Sequence, residues 1–381
     1  MGNARIGLRA KLTVATFAVV VGLCLSEVGA RVLYPAPPEP LREPQLLYES
    51  DPDLGFFHAP SQAGYLDDGL ATINEMGFRG ELPSVPKPEG EIRVLAIGDS
   101  TTFGWGVDDV GTYCAQLEAM LAAAFPNKQM SVINAGVGAY DLDREALLLK
   151  HFAPRLEPDV VLVGLYWNDL PYEKTTPDGR PLAARRSSPE AGSTEVSEAP
   201  DGAPRRFRIG NDPSRLNRIL RRSRLLYVLR QAWLSAMATT ETADNLVRWE
   251  MALLEGLESP AIDEAWQDVA RSLADIRELG EAGGFAVGVL IIPIRAQVEG
   301  SYPRAAYQTR ARALAEAEGF FAIDPLPRFM AAPDKASLFV PYDRMHLSAE
   351  GNALLAEAAF DALANGMEGR AFRPGRTWRI P

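Results

Sequence analysis

Three short strings in this chain bring together residue types that can move a proton or steady an anion. The first is Gly98-Asp99-Ser100. A serine hydroxyl becomes a nucleophile when a neighbouring base takes its proton. The second is Asp343-Arg344-Met345-His346. A carboxylate three residues before an imidazole can meet it on one turn, accept its Nδ1–H and leave Nε2 as the base. The third is Asn168-Asp169, whose side-chain amide can donate to a developing oxyanion. Taken singly, each string also has a plain structural use. Ser100 suits a helix N-cap, Asn168-Asp169 suits a turn, and Asp343 with His346 suits an ion pair at a helix start.

The choice of base is narrow, because the chain has three histidines, His58, His151 and His346. His58 lies in a proline-rich leader and His151 in a helical stretch without an acid at a triad spacing, so both suit structural or surface roles. A glycine-bearing string, Gly136-Val137-Gly138-Ala139-Tyr140-Asp141, lets backbone approach a ligand. It fails the dinucleotide pattern at Asp141, and no phosphate-binding Gly-Lys-Ser/Thr loop accompanies it. The two cysteines, Cys24 and Cys114, are neither a disulfide scaffold nor, with the histidines, a zinc spacing. No metal or cofactor is expected.

These strings must be positioned by a regular scaffold, and the chain supplies one. Apolar runs at 93–97, 130–134, 159–166, 285–292 and 320–323 read as strands. Helical spacing covers 110–125, 142–152, 266–279, 307–318 and 348–364. The alternation predicts a three-layer α/β/α sandwich around a parallel sheet of about five strands. In such sheets chemistry sits beyond the C-terminal strand ends. Ser100, the glycine string and Asn168 all fall there, and His346 falls before the closing helix.

Read in that order, the strings resemble the GDSL/SGNH hydrolase superfamily over about 93–364, with the segment between the third and fourth strands set aside. The resemblance implies a flavodoxin-like fold and a serine esterase working through an acyl-enzyme. It implies Ser100 as nucleophile and Asp343 with His346 as the rest of a triad. The oxyanion hole would use the N–H groups of Ser100 and Gly138 and the Asn168 amide. Two departures stand: Tyr166 replaces a glycine common in the family, and the second block registers on either Gly138 or Ala139. The substrate class implied is an O-acetyl or short acyl ester, including acylated carbohydrate. Two alternatives share the fold: an O-acetyltransferase of an exported polysaccharide, and a non-catalytic carbohydrate-binding module, against which the intact Ser100, Asp343 and His346 count.

The flanks address location. Arg5, Arg9 and Lys11 precede an apolar run at 12–25, the pattern of an export signal or a membrane anchor. A small-residue site at Val28-Gly29-Ala30 suits cleavage; continuation of the apolar pattern to Leu33, with Glu27 and Arg31 four apart, suits an anchor. Either way the remainder is expected outside the cytoplasm. The expected organisation is a signal or anchor at 1–34, a proline-rich leader at 35–90, a hydrolase domain at 91–366 with an insertion at 171–260, and a tail at 367–381. The string Asn74-Glu75-Met76-Gly77-Phe78-Arg79 resembles a leader element of exported members. At 175–205 the composition predicts a flexible insertion, and 213–257 reads as mostly helical, with a basic, leucine-bearing start: a helix packed on the domain, or else a lid, partner surface or membrane-facing patch. With 47% hydrophobic residues a large core is available, and a net charge of −11 argues against nucleic-acid binding.

Overall fold

The computed structural model describes residues 8–34, 42–170, 174–175, 181–182, 193–195, 204–209, 222–237, 249–300, 305–341 and 343–369. Arg5, most of the insertion expected at 175–205, the segment 213–221 and the tail from 370 lie outside these residues. The chain divides into two compact units, 1–40 with 213–244, and 41–212 with 245–381.

In the first unit, α1 (Leu8–Leu33) is a single helix. Its span Lys11–Leu33, with a mean hydropathy of 1.9, is long and apolar enough to cross a membrane, a test that a signal sequence also passes. At about 1.5 Å per residue it measures about 35 Å, against about 30 Å for a hydrocarbon core. The helix runs through Glu27 because Arg31 pairs with it one turn on, at 2.7 Å. Glu27 also accepts from Ser223 Oγ and from the N–H groups of Arg224 and Leu225. It thereby caps α5 (Arg224–Met237), where a carboxylate meets the positive end of a helix.

The second unit is built on five parallel strands: β5 (Ile92–Gly98), β6 (Met130–Gly136), β7 (Val160–Leu165), β12 (Ala286–Ile291) and β13 (Phe321–Ile323). Their spatial order is β13-β12-β7-β5-β6, the flavodoxin-like arrangement. β5 and β7 are buried along their whole length, as strands covered on both faces must be. Among the flanking helices, α3 (Tyr113–Ala124) packs with α10 (Ala349–Gly369), and α4 (Leu142–Leu156) packs with α6 (Pro260–Gly283). The helix expected from 110 starts instead at Tyr113, because Thr112 caps it through Ala115 N–H. α4 runs on through Pro154 and ends where Glu157 turns left-handed, φ 48°.

The leader carries four strands. β1 (Tyr48–Asp51) and β2 (Gly55–His58) form an antiparallel sheet with β11 (Arg206–Ile209) and β10 (Ser193–Glu195), in the order β10-β11-β1-β2. β3 (Gln62–Leu66) and β4 (Gly69–Ile73) form a hairpin whose two-residue turn is Asp67-Asp68. After it, Asn74 folds the string noted above by accepting from Met76 and Phe78 N–H, with Gly77 left-handed at φ 85°. That turn delivers Arg79 into the interior. Its Nε donates to Asp109 at 2.8 Å, Nη1 to the carbonyls of Phe103 and Gly104, and Nη2 to those of Leu70 and Val107. All five guanidinium N–H groups are therefore used.

Replacing Arg79 with leucine leaves those acceptors without donors. The expected loss is about 3–5 kcal/mol of stability, read from urea denaturation. A loss below about 1 kcal/mol, the level of an exposed ion pair, would contradict this account.

Candidate active site

Ser100 stands where β5 turns into the short helix α2 (Ser100–Phe103). Asp99 caps that helix, its Oδ1 accepting from Thr101 N–H at 2.7 Å. The helix sits low on the sheet because two glycines make room for Thr102. A Cβ on Gly98 would lie 2.0 Å from Thr102 Oγ1, and one on Gly164 would lie 2.1 Å from it. Any side chain at either strand position would lift the serine turn.

His346 reaches Ser100 from a loop 246 residues away, with Nε2 2.8 Å from Oγ. Its Nδ1 is 2.7 Å from Asp343 Oδ2. The other oxygen of Asp343 accepts from the N–H groups of Met345 and His346, at 2.6 and 2.8 Å. One carboxylate thus folds the loop and orients the ring. The loop is held from outside as well. Tyr166 Oη donates to Met345 O, and Arg295 donates to the Asp343 carbonyl.

Asn168 lies in the single turn Trp167–Asp169 that follows β7. Asp169 fixes that turn by accepting from Tyr166 N–H at 2.7 Å. Asn168 Nδ2 donates to Asp99 Oδ2 at 2.9 Å, so the residue beside the serine also holds the amide. A primary amide has two N–H groups, which leaves one for a further acceptor. The loop after β6 closes by Tyr140 N–H donating to Val137 O, with Ala139 left-handed at φ 66°. Gly138 is packed close: a Cβ there would lie 3.1 Å from Tyr48 Oη and 3.3 Å from the Trp105 ring.

The electrostatics follow from burial and charge. For Asp343, burial pulls its pKa upward, but the His346 hydrogen bond and charge and the two N–H donors outweigh this and hold it at about 2. For His346, burial pulls downward, and the Asp343 hydrogen bond and charge, with Asp99 and Asp67, outweigh it and raise the imidazole above its ordinary value. Deeper in, the Glu145 and Asp169 carboxyls are pushed well up, by burial first; the charges of Asp169 and Asp99 add to this at Glu145, and that of Asp99 at Asp169, where the Tyr166 N–H pulls the other way.

The other histidines lie elsewhere. His58 is buried, with Nδ1 3.1 Å from Gly77 O, its ring packed by Tyr48 and Phe103, and its pKa pushed down to about 3 by burial. His151 is exposed on α4. Cys24 and Cys114 are both free thiols. By sequence Trp105, like Tyr140 and Trp167, is an aromatic near a strand end that suits a pocket lining or the core; its indole stacks on the His346 ring at 5.4 Å and 14°. Nothing local to a tryptophan marks that partner. A hydroxyl, an imidazole and a carboxylate in this order can pass a proton from Oγ to Nε2 while the carboxylate steadies the resulting cation.

The model of the GDSL-like lipase/acylhydrolase family matches residues 96–354. None of the curated proteins compared with the chain matches it. Among solved structures it is similar to an alpha/beta hydrolase enzyme from the metagenome of Lake Arreo, Spain, at 16% identity and a TM-score of 0.41, covering 72% of this chain and 95% of that one. It is also similar to an acetyl xylan esterase, at 16% identity and a TM-score of 0.40, covering 71% of this chain and 100% of that one. A third is an acetylxylan esterase from Geobacillus stearothermophilus, at 15% identity and a TM-score of 0.38, covering 75% and 97%.

A base must be neutral to take a proton, so kcat/KM for any reaction using His346 in this way rises with pH through the imidazole pKa. The raised value places that acid limb above the ordinary histidine value of about 6.5. Asp343→Asn should lower kcat by about 10⁴-fold, and should move the limb to lower pH, since the main charge favouring the cation is gone. A pH–rate profile of both proteins checks this; a limb that stays in place contradicts it.

Proposed function

This chain belongs to the GDSL-like lipase/acylhydrolase family and is an ester hydrolase, and we propose that it cleaves O-acetyl or short acyl esters with Ser100 as nucleophile. The observation that carries the proposal is the continuous relay from Ser100 Oγ through His346 to Asp343, at 2.8 and 2.7 Å. His346 Nε2 takes the Ser100 proton as Oγ attacks the ester carbonyl. The tetrahedral oxyanion is met by the N–H groups of Ser100 and Gly138 or its neighbour Ala139, and by the second amide N–H of Asn168. Each such donor contributes about 3 kcal/mol to the transition state. Collapse breaks the bond to the alcohol, which leaves with the proton from His346. Water, deprotonated by the same imidazole, then attacks the acyl-enzyme and restores Ser100.

The test is hydrolysis of a short-chain aryl ester by the protein and by Ser100→Ala. Loss of the nucleophile should lower kcat by about 10⁶-fold, toward the level left by binding and the oxyanion donors alone. Equal rates would remove Ser100 from the chemistry. Acyl transfer to an oligosaccharide in place of hydrolysis would make the acceptor a sugar hydroxyl.

The apolar N-terminal helix is compatible with a signal or an anchor. We place the catalytic unit outside the cytoplasm, because Arg9 and Lys11 precede the apolar span and basic flanks stay inside. A reporter fused after Pro381 should be active only beyond the cytoplasmic membrane. A strictly cytoplasmic signal would contradict export.

A further inference from the structure

The β3–β4 hairpin lies outside the segment that the family model covers, yet its tip is fastened to the loop that follows the serine helix. Asp67 holds a left-handed φ of 50° as the first residue of the two-residue turn. From there its carboxylate accepts from Trp105 Nε1 at 2.9 Å. The rest of the tip is fixed independently. Leu70 N–H donates to Asp108 at 2.8 Å and Thr72 N–H to Asp109 at 3.2 Å. A Cβ on Gly69 would lie 2.4 Å from Val107 N, so the hairpin backbone presses directly on the loop.

Trp105 is equally constrained at its other end. Its own N–H donates to the Ser100 carbonyl at 3.0 Å. The indole stacks on the His346 ring, and its far edge lies 3.3 Å from where a Gly138 Cβ would be. One ring therefore touches the imidazole and abuts the loop proposed to supply an oxyanion donor. The Asp67 hydrogen bond holds the Nε1 edge of the indole and so restrains its turn about the Cβ–Cγ bond.

We propose that Asp67 and Trp105 are positioning residues for His346, so that the leader hairpin completes the catalytic site. The proposal rests on the esterase reading for its kinetic consequence only. Asp67→Ala frees the indole to rotate and loosens the face against which the imidazole rests. Trp105→Phe keeps a ring but removes the donor. Asp67→Asn keeps an acceptor for the indole.

The experiment measures kcat and KM on the aryl ester for these variants and for the Asp67→Ala/Trp105→Phe double variant. In parallel, NMR follows the His346 ring protons, which the stacked indole shifts upfield. Asp67→Ala and Trp105→Phe should each lower kcat by about fivefold, the effect of one modest interaction. KM should change by less than about twofold, and the double variant should be no slower than the slower single, as residues acting through one contact are not additive. At a pH where the imidazole is neutral in every variant, so that the lost Asp67 charge does not enter, Asp67→Asn should restore most of kcat, and the His346 signals should move in Asp67→Ala but not in Asp67→Asn. Additive losses, or unmoved His346 signals in a folded Asp67→Ala protein, overturn the proposal. Should the parent protein hydrolyse no ester, the esterase reading falls, and the NMR shift alone decides whether Asp67 positions the ring.

Discussion

A single buried guanidinium ties the leader to the serine helix and the loop that follows it. Taking a charge out of water costs several kcal/mol unless every donor finds an acceptor, and Arg79 meets that condition with four backbone carbonyls and one carboxylate. The acceptors come from the leader, at Leu70 on β4, from Phe103 at the end of the serine helix, and from the loop after it, at Gly104, Val107 and Asp109. The arginine converts them into one block, and the block supports the indole beside His346.

On the sheet side, Asp99 plays the corresponding joining role. One of its oxygens caps the serine helix and the other holds the Asn168 amide. The nucleophile turn and the turn after β7 cannot shift independently while both bonds persist. Behind them, burial pushes the Glu145 and Asp169 carboxyls well above the usual carboxylate range, with Asp99 adding to the shift of each. The interior below Asp99 thus opposes further negative charge.

Much of this was legible in the sequence, and the remainder has a common physical reason for being hidden. β5, β6 and β7 announced themselves as apolar runs, and the residues after them are where parallel sheets place chemistry. Asp343 and His346 stood out because their pairing is local, within one turn. Asp67 did not, and Trp105 stood out only as an aromatic near a strand end, since their contact spans 38 residues and an aspartate is ordinary in a turn. The string around Arg79 was visible as a string, but most of its partners are carbonyls, which every residue has. Glu27 was legible as a partner for Arg31 and not as a cap for a helix nearly 200 residues on. Local patterns reveal elements and short-range pairs; long-range hydrogen bonds to backbone leave no trace in residue type.

The distance along the chain between Ser100 and His346 has a consequence for the life of the molecule. Chains are made from the N-terminus, and the serine, its cap and the asparagine turn are complete long before the imidazole exists. Contacts of such separation form late, because loop-closure entropy must first be overcome. Until the loop at 343–346 has docked, the hydroxyl has no base. On the proposed chemistry, the emerging chain carries the hydroxyl without its base, and the two can meet only once the segment before the helix Ala349–Gly369 has been made.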